Sequence, residues 1–206
     1  VGPAYRIETA RLVLRPWGPA DAPRLKAAVE ASLEHLRAWM PWARTESTEL
    51  DAQIELLRSF RAKFDLGEEF IYGIFDLEEI SVLGGTGLHL RQAPDTREIG
   101  YWIHVDHIGQ GLATESTAAL TRVAFEVDGI SRVEIRCDPD NVRSAAVPAK
   151  LGFTHEATLR QAGVGADGAT RDAMVWALVA EEYPESPAAA AAAEVAAFDA
   201  IGRTLL

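Results

Sequence analysis

Cysteine is almost missing from this chain of 206 residues: Cys137 is the only one. No internal disulfide can form, so a reducing, cytoplasmic setting is expected, and Cys137 reads as a buried strand residue rather than a nucleophile. Long apolar runs are missing too. None approaches the roughly 18 residues that a membrane span needs, and Val1-Gly2-Pro3-Ala4-Tyr5-Arg6 lacks the apolar core of a secretory leader. Basic residues are scarce: 20 Lys and Arg stand against 31 Asp and Glu, a net charge of −11. That deficit argues against nucleic acid as a partner, because phosphate contacts need clustered cations. It tilts instead towards cationic partners such as amines or basic protein tails.

What is present is an ordinary globular mixture, 48% apolar and 25% charged, at a length that suits one well-cored domain. Arg11–Trp17 alternates like a strand. A helix follows, with Asp21 as its N-cap and Leu25, Ala28, Val29, Ser32 and Leu36 along one stripe. The rigid knot Trp39-Met40-Pro41-Trp42 interrupts it, and a second helix is expected over 49–64. Residues 70–75 and 82–90 read as a hairpin. Ala93-Pro94-Asp95 turns the chain into a strand over 99–105. A further helix carries Ala113, Ser116, Leu120, Val123 and Val127 at three-and-four spacing and ends at Asp128-Gly129. Strands at 132–137, after Phe153, and at 172–179 follow, with a short helix over 144–151. Residues 1–184 read as one domain. Residues 185–206, with the run Ala188–Ala193 and a stripe of Val195, Phe198 and Ile201, read as a helical extension.

The most informative stretch joins the strand Ile99–Val105 to a helix through His107-Ile108-Gly109-Gln110-Gly111-Leu112. Main-chain N–H groups of such a loop, with the first free N–H groups of the helix, form an anion cradle. Glycine lets the backbone come close to a ligand. A pyrophosphate fits such a cradle, and so does a plain tight turn. A dinucleotide fingerprint would need a third glycine where Thr114 stands, and a P-loop would need Gly-Lys-Ser/Thr.

Three pieces together carry a family resemblance: Glu98-Ile99-Gly100-Tyr101-Trp102-Ile103, Gly109-Gln110-Gly111-Leu112-Ala113-Thr114-Glu115, and Asn141-Val142-Arg143-Ser144 with Lys150-Leu151-Gly152-Phe153. In the order β-α-α-β-β-β-α-β-α-β-β they resemble the GNAT superfamily of acetyl-coenzyme A-dependent N-acetyltransferases. With Glu34-His35-Leu36 ahead of the tryptophan knot, the chain looks most like the ribosomal-protein N-terminal (Rim-type) branch. Where the superfamily pattern commonly opens its loop with Gln or Arg, this chain has Ile108, which removes one side-chain contact and leaves the amides.

The resemblance implies an α/β (α+β) fold: a mixed, centrally splayed sheet flanked by helices. It implies acetyl-CoA as cofactor, held by main-chain groups of Ile103, His104 and Val105, by Gly109, Gln110, Gly111, Leu112, Ala113 and Thr114, and by Asn141. Glu98 is the first choice of general base, with His89 and His104 as rivals. Ser144 matches the position of a general acid, although serine is also a good N-cap. Trp39, Trp42, His89 and Tyr101 are assigned to the acceptor side, and no metal is assigned. The acceptor would be a protein N-terminus or a small cationic amine. The alternative is a non-catalytic acetyl-CoA-binding or sensing domain acting through a protein partner. No nucleic acid or membrane partner is expected, and a homodimer is plausible from the branch.

Overall fold

A computed structural model describes residues 3–45, 48–90, 95–165 and 167–206. Val1-Gly2, the Ala93-Pro94 turn and Ala166 of the last hairpin lie outside the described residues. The chain forms β1 (Arg6–Glu8), β2 (Val13–Pro16), α1 (Ala22–Leu36), α2 (Trp42–Thr45), α3 (Leu50–Asp65), β3 (Phe70–Phe75), β4 (Val82–Leu90) and β5 (Thr96–Ile103). It continues with α4 (Leu112–Arg122), β6 (Arg132–Cys137), α5 (Val142–Lys150), β7 (Thr154–Val164), β8 (Thr170–Val179), α6 (Pro187–Ala191) and β9 (Ala196–Phe198). A nine-stranded sheet runs β7-β8-β6-β5-β4-β3-β2-β1-β9. Its neighbours are antiparallel except β5 and β6.

Strand alternation sends β5 side chains to two cores. Ile99 packs with Leu88, Leu120 and Ile135. Trp102 packs against the second core, where Val29 of α1 and Leu57 of α3 meet Trp17 and Phe75. The β5–β6 ladder runs only from Thr96–Arg132 to Glu98–Glu134, although β5 continues to Ile103 and β6 to Cys137. Past Glu98 the two strands part. This is the central splay expected from the family pattern.

Two local readings are corrected. Asp21 stands at the N-cap position of α1 but makes no side-chain cap. Its carboxylate instead takes both guanidinium nitrogens of Arg15 at 2.8 and 2.9 Å, the Gly18 N–H at 2.9 Å, and Arg24. Burial alone would raise this carboxyl; the Arg15 and Gly18 hydrogen bonds and the nearby cations pull it below the ordinary range. The network ties α1 to β2.

The C-terminal extension is not one long helix. Arg122 Nη1 donates to the carbonyls of Ala192, Ala193 and Val195 at 2.9, 3.1 and 3.2 Å, which diverts them from helical bonds. After this short turn of helix, β9 pairs with β1 and extends the sheet. Ala188, Ala192 and Ala197 are fully buried in the same core as β5.

Candidate active site

The glycine loop is shaped by two left-handed residues, Gly109 at φ 78° and Gly111 at φ 82°. A side chain there would strain the backbone. Gly111 is the N-cap of α4 and supplies no side-chain cap, and the helix's first bond runs from the Glu115 N–H to the Gly111 carbonyl. The N–H groups of Gly111, Leu112, Ala113 and Thr114 are therefore the four that no helical carbonyl can satisfy. All four residues line a cleft of about 630 Å³, together with Ile108 and Gly109.

The loop is braced from outside. Arg11 Nη1 donates to the Gln110 carbonyl at 3.1 Å, and Arg11 Nε is held by Glu115 Oε2 at 2.8 Å. Glu115 also takes the Thr9 hydroxyl at 2.6 Å and the Arg11 N–H at 3.2 Å. In a trans peptide the carbonyl and the following N–H point opposite ways. Arg11 on the Gln110 carbonyl thus turns the Gly111 N–H away from itself.

Across the cleft, Asn141 caps α5 by accepting the Ser144 N–H at 3.1 Å. That leaves the Ser144 hydroxyl free of the capping role, and it lies 3.1 Å from the Tyr101 hydroxyl, which also donates to the Ser144 carbonyl at 3.0 Å. Burial pushes the Tyr101 phenol well above its ordinary value. It likewise raises the Cys137 thiol, whose neighbours include Ser144 and Trp176. Three protonated, uncharged groups therefore cluster where β5 and β6 part.

The main chain of β5 follows the same geometry. The His104 N–H bonds the Leu83 carbonyl of β4 at 2.8 Å. Antiparallel pairing alternates, so residues 100, 102 and 104 face β4 while Tyr101 and Ile103 face the gap.

A second cavity of about 330 Å³ lies beside the first, between β4, β5 and the helices α1–α3. Met40, Tyr101 and Trp102 line both. His89 lines the second, its Nδ1 2.8 Å from Glu69 Oε1. Gly87 and Gly100 leave room for its ring: a Cβ on either would stand 3.2 Å from His89 Nε2.

Comparison with known proteins places this architecture. A family model described as "Acetyltransferase (GNAT) domain" matches residues 11–154. The chain belongs to the GNAT acetyltransferase family. A [ribosomal protein uS5]-alanine N-acetyltransferase of Escherichia coli is 28% identical over 187 residues, covering 88% of this chain and 94% of that one. RimJ of Mycobacterium smegmatis, solved with a CoA disulfide, superposes with a TM-score of 0.78 at 28% identity and covers 95% of both chains. RimL, a ribosomal L7/L12 α-N-protein acetyltransferase solved with coenzyme A, shares the fold at TM-score 0.76 and 23% identity, over 83% of this chain and 95% of that one.

In this acetyltransferase the residues singled out from sequence divide. Ile103, Gly109, Gly111, Leu112, Ala113, Thr114, Asn141, Ser144 and Tyr101 all line the large cleft. Gln110 does not: its carbonyl goes to Arg11, and its side-chain amide donates to the Asp106 carbonyl at 3.2 Å. The His104 and Val105 amides are spent on the Leu83 carbonyl and the Ser32 hydroxyl, and the His104 ring accepts the Asp106 N–H at 3.2 Å. Trp42 and His89 line the second cavity, whereas Trp39 borders the large cleft. Glu98 lines neither. Its side chain is 15% exposed and lies 3.6 Å from Arg136, directly across the ladder from His89.

Sequence reasoning gave no role to Glu69 or to the Arg11–Glu115 brace, and it met His35, His107 and Glu115 only as members of the quoted motifs.

Proposed function

We propose that this chain is an N-acetyltransferase that moves an acetyl group from acetyl-CoA to a primary amine by direct transfer in a ternary complex. The observation that carries the reading is the meeting of two cavities at Met40, Tyr101 and Trp102. One is built on the anion cradle; the other holds an oriented histidine. Acetyl-CoA supplies a thioester whose carbonyl carbon accepts the amine and whose sulfur leaves. The four loop and helix amides from Gly111 to Thr114 suit its pyrophosphate. The gap-facing main-chain groups of Tyr101 and Ile103 suit its pantetheine arm and the thioester oxygen, a fixed dipole array of the kind that contributes most to acyl transfer.

His89 is the general base in this reading, replacing Glu98. It lines the acceptor side, and Glu69 on Nδ1 fixes the tautomer that leaves Nε2 to take the ammonium proton. Glu98 lines neither cavity and has the Arg136 guanidinium 3.6 Å away. Ser144, with Tyr101 behind it, is the donor to the leaving sulfur. The relatives' names support a protein N-terminus or another primary amine as acceptor. A cytoplasmic setting accords with a lone cysteine, and a homodimer is part of the same proposal.

Bisubstrate initial-rate kinetics test this. Intersecting double-reciprocal lines are expected, with His89→Gln and Ser144→Ala lowering kcat far more than acetyl-CoA affinity. Parallel lines would mean a covalent acetyl-enzyme and would sink direct transfer.

A further inference from the structure

We infer that the acceptor is a monoamine carrying a bulky apolar group, aromatic or branched aliphatic, which fills the second cavity. This rests on reading that cavity as the acceptor side. At about 330 Å³ the cavity falls within the size range of small-molecule sites, roughly 300–1,000 Å³. Its lining is mostly apolar, with Trp17, Trp42, Phe60 and Trp102 as its aromatic walls and Thr48, Gln53, Thr86 and His89 as its polar side chains. An amine held at His89 therefore has its substituent in an aromatic chamber.

Among the described residues lining this cavity there is no Asp, Glu, Lys or Arg. Polyamines and aminoglycosides carry several cationic centres. Those beyond the reacting nitrogen would be buried with no carboxylate to meet them, which is heavily unfavourable. The net charge of −11 is thus a property of the surface and does not extend to this site. Alanine or serine N-termini meet the opposite problem. A methyl or hydroxymethyl group leaves most of the chamber without partner atoms and forfeits its dispersion contacts. Discrimination by filling an apolar pocket runs at roughly 10–200-fold per methylene.

The test is amine-dependent thiol release with acetyl-CoA and a matched panel: phenylalaninamide, leucinamide, alaninamide, serinamide and spermidine. Phenylalaninamide and leucinamide are expected to exceed alaninamide in kcat/KM by at least about 10-fold. Equal or better turnover of alaninamide, serinamide or spermidine overturns this inference while leaving the acetyltransferase reading intact. Binding of acetyl-CoA with no amine turned over removes both.

Leu33→Trp, which puts an indole into the chamber, is expected to cut the phenylalaninamide-to-alaninamide ratio by at least about 10-fold. Acetyl-CoA calorimetry on the same sample reports that the variant is folded. Leu56→Phe adds bulk from α3 and reads the same ratio independently. A ratio unmoved in either folded variant counts against the assignment.

Discussion

Replacing Gly109 with alanine separates backbone strain in the loop from strain elsewhere. Gly109 and Gly129 both hold left-handed φ, 78° and 67°, and a Cβ at either meets nothing within 4 Å. Both substitutions therefore carry the same conformational cost, about 1–2 kcal/mol for an L-residue in that region. Lost unfolded-state freedom offsets about 0.4–1 kcal/mol of it. Gly129 lies between the π-helical turn Val123–Val127 that continues α4 and the buried Ile130, so its strain is borne by the fold. A net loss near 1 kcal/mol corresponds to a fall of about 2–4 °C in Tm for a chain of this length. Gly109 sits in the loop itself, where an alanine relieves its strain by leaving the left-handed region. Restoring the cradle on binding then costs up to about 1–2 kcal/mol, which is roughly a 5–30-fold rise in Kd for acetyl-CoA. Calorimetry and thermal melts on both variants decide the matter. Wild-type affinity in Gly109→Ala, or an equal loss in Gly129→Ala, would refute the assignment of the loop amides to the donor.

Four further outcomes follow from the same geometry. Arg11→Met and Glu115→Gln should each weaken acetyl-CoA binding about 5-fold, the worth of roughly 1 kcal/mol in a half-exposed charged hydrogen bond, with acceptor KM unmoved; loss of acceptor KM alone would contradict the brace. His89→Gln should lower kcat by 10² or more, whereas Glu98→Gln should lower it less than about 10-fold; the reverse pattern returns the base to Glu98. Asp21→Ala leaves Arg15 with Glu79 alone and takes the acceptor from the Gly18 N–H, and should cost about 2 kcal/mol by denaturant unfolding. Because pairing lowers the Asp21 carboxyl, this stabilisation is present above about pH 4 and is lost as pH falls through the folded value. Burial pushes Asp128 the other way, up to about 6, against the pull of Arg97. Its folded form favours the proton, so its contribution to stability declines as pH rises from about 4 to 6. Asp128→Asn should abolish that decline, and an unchanged wild-type-minus-variant difference across this window would disprove it.

Periodicity was enough to read α3, the β3–β4 hairpin and β6, because their buried stripes and alternation are local patterns that need no distant partner. The glycine loop was legible for the same reason: its conformation is written in Gly109 and Gly111 themselves. The rest depended on partners distant in sequence. The end of α6 is set by Arg122, about 70 residues earlier, so an alanine run with good helix propensity gave the wrong extension. Which β5 amides face the gap depends on pairing with β4 and on where the β6 ladder stops, so the bonds of the His104 and Val105 amides to Leu83 and Ser32 were not legible in the sequence. Glu98 and His89 were equivalent candidates on sequence. Their different surroundings, Arg136 at 3.6 Å from Glu98 and Glu69 at 2.8 Å from His89 Nδ1, exist only in three dimensions.

The most direct measurement is thiol release from acetyl-CoA by the purified protein, with and without a primary amine, alongside calorimetry of acetyl-CoA on the same sample. The account predicts saturable binding and release that depends on the amine, with the amine recovered acetylated. Saturable binding with no amine-dependent release would contradict it and identify the chain as an acetyl-CoA-binding module.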